Sequence, residues 1–567
     1  MRSWWPLLIA LLGTVLLAVF ATTPRAPRGL DTAATAFSAE RAMADVREIA
    51  RAPHPTGSAD NARVRAWLVQ RLTGLGMSVR TTSAPLSPAG AARLHKWSGS
   101  DATPPLVNIV ATLPGGEPGA SAVLVLAHYD SVWGSPGAAD DGAGVASALE
   151  IARTLKLDPG RRRPLVVVFT DGEELGLEGG KALFNADPDR AYIGVVVNLE
   201  TRGGGGRAAM FETGRDNGAM MRLFVEAVGR PSATSLSVLI YELLPNSTDF
   251  TPAKALGLPG FNFAFIGRPG LYHSPLATAD NLDQGALQDM GSQALDLTRA
   301  LVTVPALPGK APNLVFFDVL GVALIAYPPV VGWLVLGVAV VLLGATAWRV
   351  GAGASDVGRG LLATLATLVV GAALLFAFNI LSGAGAGANY YDRLAAIPWL
   401  QVQALLVGGA TVGIGLLLRQ RDGVPAATAI GTALPLLVTA VVLQVIAPTA
   451  AFIVAWPVMF AGVVVAALAF MRGPIGTIIA VVIVAMEAAY VLSFAFFLTQ
   501  AIGQDTPSAA ALPLSMIAML AWSLVPSLAP RRLLAVAAIL LLAGAGIALS
   551  VRLDPIAASV PAYSLKG

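Results

Sequence analysis

Leu165-Val-Val-Val-Phe-Thr170-Asp171-Gly172-Glu173-Glu174-Leu-Gly176 is apolar in its first half and acidic in its second. Residues 165–169 form a short Val-rich run that reads as a strand buried on both faces of a sheet. Three acids then fall within four residues just beyond the strand, where open α/β sheets gather their ligands. Like charge concentrated in this way is costly unless cations neutralise it. One Glu as metal ligand beside another as general base is the division of labour that metal-assisted hydrolysis requires. A solvated acidic turn is the plainer alternative.

The neighbouring sequence repeats the pattern. Apolar runs at 122–127, 194–198 and 261–266 alternate with helical patterns such as 61–75 and 143–156, so residues 38–304 predict an α/β domain whose sheet is sandwiched by helices. The run 122–127 ends at His128, with Asp130 two residues on. A histidine there can bind a metal while the carboxylate orients it from behind, or it can be ordinary loop polarity. Asp140 and Asp141 open the helical pattern at 143. Aspartate favours a helix N-cap, but its two oxygens can also bridge two cations, which a cap does not need. Glu200 follows the run 194–198, and Gly270-Leu-Tyr272-His273-Ser274 follows the run 261–266. Each has a structural explanation alone. Together, strand ends supplying His128, Asp140, Glu174, Glu200 and His273 in an otherwise acid-sparse domain are hard to ascribe to solvation.

The chain's 567 residues suffice for two or more cores. With 55% hydrophobic residues, 13% charged residues and a mean hydropathy of +0.67, part of it belongs in lipid. The net charge of +3, with arginines at segment edges, offers no basic face for a phosphate backbone, so no nucleic-acid partner is expected. There is no cysteine, so any metal must be held by His, Asp and Glu.

Residues 4–21 form an apolar run behind Arg2, and the segment 1–24 is expected to anchor the chain and to export the α/β domain. A signal peptide cut after Val19-Phe20-Ala21 is the alternative. After a linker or interfacial segment at 305–328, apolar segments at 329–347, 361–382, 399–418, 425–447, 451–471, 475–500, 508–529 and 533–551 predict an eight-span, all-α membrane domain over 329–552. Residues 553–567 form a tail. If the amino terminus is cytoplasmic, Arg349, Arg359, Arg419, Arg421, Arg472, Arg531 and Arg532 fall in cytoplasmic loops. Only Arg393 falls in an outer loop, with Arg552 and Lys566 in the tail. The α/β domain is therefore expected outside the cytoplasm. Cysteine absence and the preference for Arg over Lys suit a bacterial inner membrane; a vacuolar or endoplasmic reticulum membrane obeys the same topology. Glu487 lies mid-span without a second intramembrane acid or base in the pattern, and reads as a packing residue.

The motifs His128-Tyr-Asp130, Asp140-Asp141-Gly, Asp171-Gly-Glu173-Glu174, Asn198-Leu-Glu200 and Tyr272-His273, in this order, resemble the co-catalytic zinc aminopeptidases, metallopeptidase family 28. The resemblance runs from His54-Pro-Thr-Gly57-Ser58 to Asn281, with a further match at Val315-Phe-Phe-Asp318-Val-Leu-Gly321, and is strongest to the vacuolar membrane protease and endoplasmic reticulum metallopeptidase branch. It implies a mixed central sheet in the zinc exopeptidase fold and two zinc ions. Asp140 would bridge them, His128 and Glu200 completing one site and Glu174 and His273 the other, with Glu173 as general base. Asp130, placed to orient His128, is expected to support catalysis from behind the ligands. The resemblance also implies that Asp141 lies beside a strained peptide bond and that Tyr272 helps stabilise an oxyanion. The implied activity is hydrolysis of peptide substrates, as an aminopeptidase-type exopeptidase. A single-zinc glutaminyl-cyclase-like enzyme, a transporter with an attached peptidase-like binding domain and a catalytically dead relative are the competing readings; the last should lack ligands, and none is missing. His54 reads as structural or as a rim contact and His95 as exposed. Residues 246–249 read as either a cleft-lining element or a helix cap.

Overall fold

A computed structural model of the chain describes residues 4–385, 387–419, 425–503, 505–526 and 528–554. Arg2, Arg421, Lys566 and the tail from residue 555 lie outside them. The described residues divide into two compact units, Thr23–Ala326 and a second that joins residues 4–22 to those from Tyr327 to Asp554.

The first unit is built on seven strands: β1 (Ser78–Ala84), β2 (Leu106–Leu113), β3 (Ala122–His128), β4 (Leu165–Thr170), β5 (Ile193–Thr201), β6 (Ala209–Thr213) and β7 (Gly260–Phe265), in the order β1-β2-β4-β3-β5-β7-β6. The four central strands, β4, β3, β5 and β7, are parallel, and β1, β2 and β6 join antiparallel at the edges. The parallel four are the apolar runs of the sequence. They are continuous in Val, Leu and Phe because helices cover both faces. Val123, Val125, Val167, Phe169 and Val197 pack under helices Ala39–Ile49, Ala59–Gly74, Gly142–Lys156 and Gln284–Thr303. Leu124, Leu126, Val166, Val168 and Val196 pack under Glu178–Ala186 and Phe250–Ala255. Each such side chain, fully buried, contributes about 1.5–3 kcal/mol.

This topology has two consequences for the site. Parallel strands bring their carboxyl ends to one edge, so His128, Thr170 and Thr201 emerge together. The register pairs His128 with Thr170 and Leu126 with Asn198, and side chains alternate with period two, so His128 and Glu200 stand side by side on one face.

The segment expected as a linker differs in part. Leu314, Val315 and Phe316 are buried, Phe316 fully and within the main core, and Val315–Val319 pairs with Ala323–Tyr327 in a separate two-stranded sheet. A short apolar stretch that looked like the approach to a span is core instead.

Among the described residues, eight helices are long and apolar enough to cross a membrane: Trp5–Thr22, Val331–Val350, Ala354–Leu381, Ile397–Arg419, Ala426–Ile446, Phe452–Phe470, Pro474–Ile502 and Pro530–Leu553. The chain is that of a multi-pass membrane protein. Glycines allow close helix contact: a Cβ on Gly360 would lie 2.0 Å from Thr428 O, and one on Gly431 2.0 Å from Val357 O. The segment expected at 508–529 is a 3-10 turn, Pro507–Ala510, running into a short helix, Ala511–Ala521. Pro526 lacks an amide donor and disfavours helix at the residue before it, which shortens the run. Ser508 Oγ donates to Ala372 O at 3.0 Å, and Arg419 Nη1 donates to Trp522 O at 2.5 Å, so both ends are held against longer helices. Glu487 is half-buried on Pro474–Ile502, two residues past Ala485, whose carbonyl accepts from Thr14 Oγ1 at 3.5 Å.

Candidate metal centre

His128 ends β3 with its ring fixed. Its Nδ1 lies 2.9 Å from the carbonyl of Asp130, which can only accept, so Nδ1 carries the proton and Nε2 presents a lone pair. That Nε2 is 3.1 Å from Asp140 Oδ1 and 3.7 Å from Glu200 Oε1. The Asp130 carboxylate has different work from orienting the ring alone. Oδ1 accepts from the Glu173 amide at 3.1 Å and Oδ2 from the Glu174 amide at 3.3 Å, while Oδ1 is 3.5 Å from His128 Nδ1.

The adjacent aspartates divide two roles. Asp141 is the N-cap of helix Gly142–Lys156: its Oδ1 accepts from Gly144 N at 3.0 Å and its Oδ2 from His128 N at 3.3 Å. Asp140 is thereby released from capping, and the peptide bond between the two is cis. Asp140 Oδ1 faces His128, and Oδ2 lies 3.1 Å from His273 Nε2. His273 arrives from the turn Pro269–Leu271 with φ of 54°, a left-handed conformation uncommon for a non-glycine residue, and stacks on Tyr272 with ring centroids 3.8 Å apart. Glu174 Oε1 is buried, takes no hydrogen bond among the described residues, and sits 3.1 Å from His273 Nε2. His128, Asp140 and Glu174 each offer a donor atom within 4.8 Å of the others. The two oxygens of Asp140 thus face two groups, one with His128 and Glu200 and one with His273 and Glu174.

The electrostatics call for cations. Burial pushes the carboxyls of Glu173 and Glu174 up, and that of Glu200 to about 7, because ionised acids crowd a site shielded from water. Burial would lower the two imidazoles, yet Asp130, Asp140 and Glu200 hold His128 well above its usual value, and Glu174 and Asp140 do the same for His273. The pocket thus draws protons where positive charge is otherwise missing. Carboxylate and imidazole donors with an orphaned oxygen suit a divalent first-row cation. No hydrogen bond from the described residues reaches the Glu173 carboxylate, which leaves it available for proton transfer.

The structure brings together every residue singled out at the strand ends. His54 is buried with its Nδ1 3.0 Å from Ala52 O, and burial pushes it down to about 4, a neutral ring. His95 is exposed, its Nδ1 3.2 Å from Ser100 O. Asp249 makes no cap bond; its Oδ2 accepts from the Thr170 hydroxyl beneath the site. Sequence reading missed Thr56, whose hydroxyl meets Asp171, and gave Asp171 no role of its own.

Residues 108–298 match the family model described as Peptidase family M28. Endoplasmic reticulum metallopeptidase 1 of Mus musculus is 33% identical over 235 residues, covering 40% of this chain and 26% of that protein. Vacuolar membrane protease of Candida dubliniensis is 32% identical over 255 residues, covering 44% of this chain and 27% of that protein. The chain thus spans about a quarter of the length of these two curated relatives. Among solved structures, an aminopeptidase from Aneurinibacillus sp. strain AM-1 aligns over 49% of this chain and 96% of its own, at 16% identity and a TM-score of 0.38. Residues 108–298, which hold every one of the candidate ligands, are a Peptidase family M28 domain.

Proposed function

We propose that the chain is a membrane-bound zinc metallopeptidase, an aminopeptidase-type exopeptidase with two co-catalytic zinc ions, acting on peptides outside the cytoplasm. The observation that carries this reading is the division of the Asp140 oxygens between His128 and His273, each with its own glutamate. The relatives' names, a metallopeptidase and a membrane protease, support the same class. His128, Glu200 and Asp140 would hold one zinc, and His273, Glu174 and Asp140 the other. When bound, the cations supply Lewis-acid polarisation of the scissile carbonyl and make the attacking water more acidic.

The chain's own groups do the rest. Glu173 accepts the water's proton on a carboxylate oxygen and returns it to the leaving amine. Burial and the surrounding carboxylates hold the Tyr272 phenol well above its usual value, so it stays protonated and can donate to a developing oxyanion. Asp130 fixes the Glu173 and Glu174 backbone, so base and ligand are set by one carboxylate. Arginine placement supports the outward orientation.

The test is digestion of a peptide library by the full chain in detergent, with and without a chelator, followed by sequencing of the products. Stepwise loss of amino-terminal residues, abolished by the chelator, is expected. Internal cleavage alone would overturn the exopeptidase assignment, and chelator-resistant cleavage the metal.

A further inference from the structure

The turn His54-Pro55-Thr56-Gly57-Ser58 lies upstream of the family match at 108–298, yet it is bolted to the metal centre. His54 N donates to Ser131 Oγ at 3.0 Å and Ser131 N donates to His54 O at 3.3 Å, so the turn is pinned to the loop after His128 in both directions. Gly57, at φ of 80°, closes the turn where a Cβ would lie 2.4 Å from Pro104 Cγ. This sets Thr56 between two carboxylates, and all three side chains are buried. Thr56 Oγ1 donates to Asp171 Oδ1 at 2.9 Å, with Asp130 Oδ2 3.4 Å away. Asn61 Nδ2, from the helix the turn starts, reaches the same Asp171 oxygen at 3.2 Å, and Val107 N reaches Oδ2 at 3.1 Å.

Two buried carboxylates repel unless a donor stands at the contact, and without one an uncompensated charge is left out of water. Asn61 and Val107 also donate to Asp171, but Thr56 is the donor that stands at the contact, its one hydrogen within reach of both carboxylates. Beyond it, Asp130 grips the amides of Glu173 and Glu174 and, through its carbonyl, the ring of His128.

We propose that Thr56 is a positioning residue for the metal centre: its hydroxyl holds Asp130 against Asp171 and so sets the ring of His128 and the backbone of Glu173 and Glu174. The proposal rests on the metallopeptidase reading above. It makes the His54–Ser58 turn part of the working site although the turn touches no reacting atom. Supporting groups of this kind alter metal affinity or activity by about 10- to 100-fold when lost.

The experiment compares the full chain in detergent with Thr56→Val, which keeps the shape and removes the hydroxyl, and with Thr56→Ser, which restores it. Zinc(II) affinity is read by competition with a chromophoric chelator, and kcat and KM on a peptide substrate are read alongside. Thr56→Val should weaken zinc binding and lower kcat by about 10- to 100-fold, with KM changing by less than about threefold. Thr56→Ser should recover most of both. Wild-type zinc affinity in Thr56→Val would overturn the proposal, as would a Thr56→Ser variant as impaired as Thr56→Val. If the valine variant does not fold, Thr56→Ala is compared with Thr56→Ser by the same titration. A wild-type chain that binds zinc but hydrolyses no peptide would remove the peptidase reading and leave the zinc comparison to decide the role of Thr56.

Discussion

Glu173→Gln separates the base from the ligands. The substitution keeps size and shape, and the Glu173 amide still donates to Asp130, so the loop that carries Glu174 is left in place. The capacity to take a proton is lost, since an amide has no basic carboxylate oxygen. General-base catalysis is worth roughly 10²- to 10⁴-fold, or about 3 to 5 kcal/mol of barrier at 1.36 kcal/mol per factor of ten. The expected result is kcat reduced by that factor, with zinc content by mass spectrometry unchanged. Stability gives a second reading. Burial raises the Glu173 carboxyl above its unfolded value, so the folded chain favours the protonated form, and this group's contribution falls as pH rises between the unfolded and folded values. Glutamine removes that loss. The metal-free variant should therefore melt no lower than the metal-free wild type at pH 8. Turnover within about threefold of wild type would refute the base assignment, and loss of zinc would refute the separation of base from ligand.

Other outcomes test the fold and its setting. Gly291→Ala places a Cβ 2.0 Å from the buried ring of Phe37, and overpacking of this kind should cost about 1–3 kcal/mol of unfolding free energy, read by denaturant titration; no change would mean the ring is not seated there. Asp249 has its carboxyl raised by burial from 3.8 to about 6, so its contribution to stability falls as pH rises across that window and is flat above it. Asp249→Asn should flatten the stability-against-pH slope of the metal-free protein between pH 4 and 6, measured by urea titration, and an unaltered slope would contradict the burial argument. The natural absence of cysteine makes topology directly readable. A cysteine at exposed Ser100 should react with an impermeant maleimide from outside intact cells, and one at exposed Ser355 should not; the reverse pattern would invert the orientation.

The central strands and strand-end groups were legible because one physical pattern marks both: a continuous apolar run buried on two faces, stopped by a polar residue at the edge. The edge strands were not. Ser78–Ala84 is polar and half-exposed and carries no run of apolar residues to notice. The adjacent aspartates could be read as cap, ligand or both, and only the bond from Gly144 N to Asp141 shows which one caps. Thr56 could not be found from spacing, since its partner Asp171 is 115 residues away and a hydroxyl has no distinctive pattern. In the membrane unit, hydropathy counted the apolar residues of 508–529 but did not register how Pro526 cuts the helix short at Ala521. The burial of Leu314 to Phe316 shows the converse, a brief apolar stretch before the spans that belongs to a soluble core.

The division of Asp140 between two ligand groups is tested most directly by counting zinc bound per chain in wild type and in Asp140→Asn. Two equivalents in the wild type, with a marked loss in the variant, are predicted. One equivalent in the wild type, or two retained by the variant, would contradict the two-metal centre.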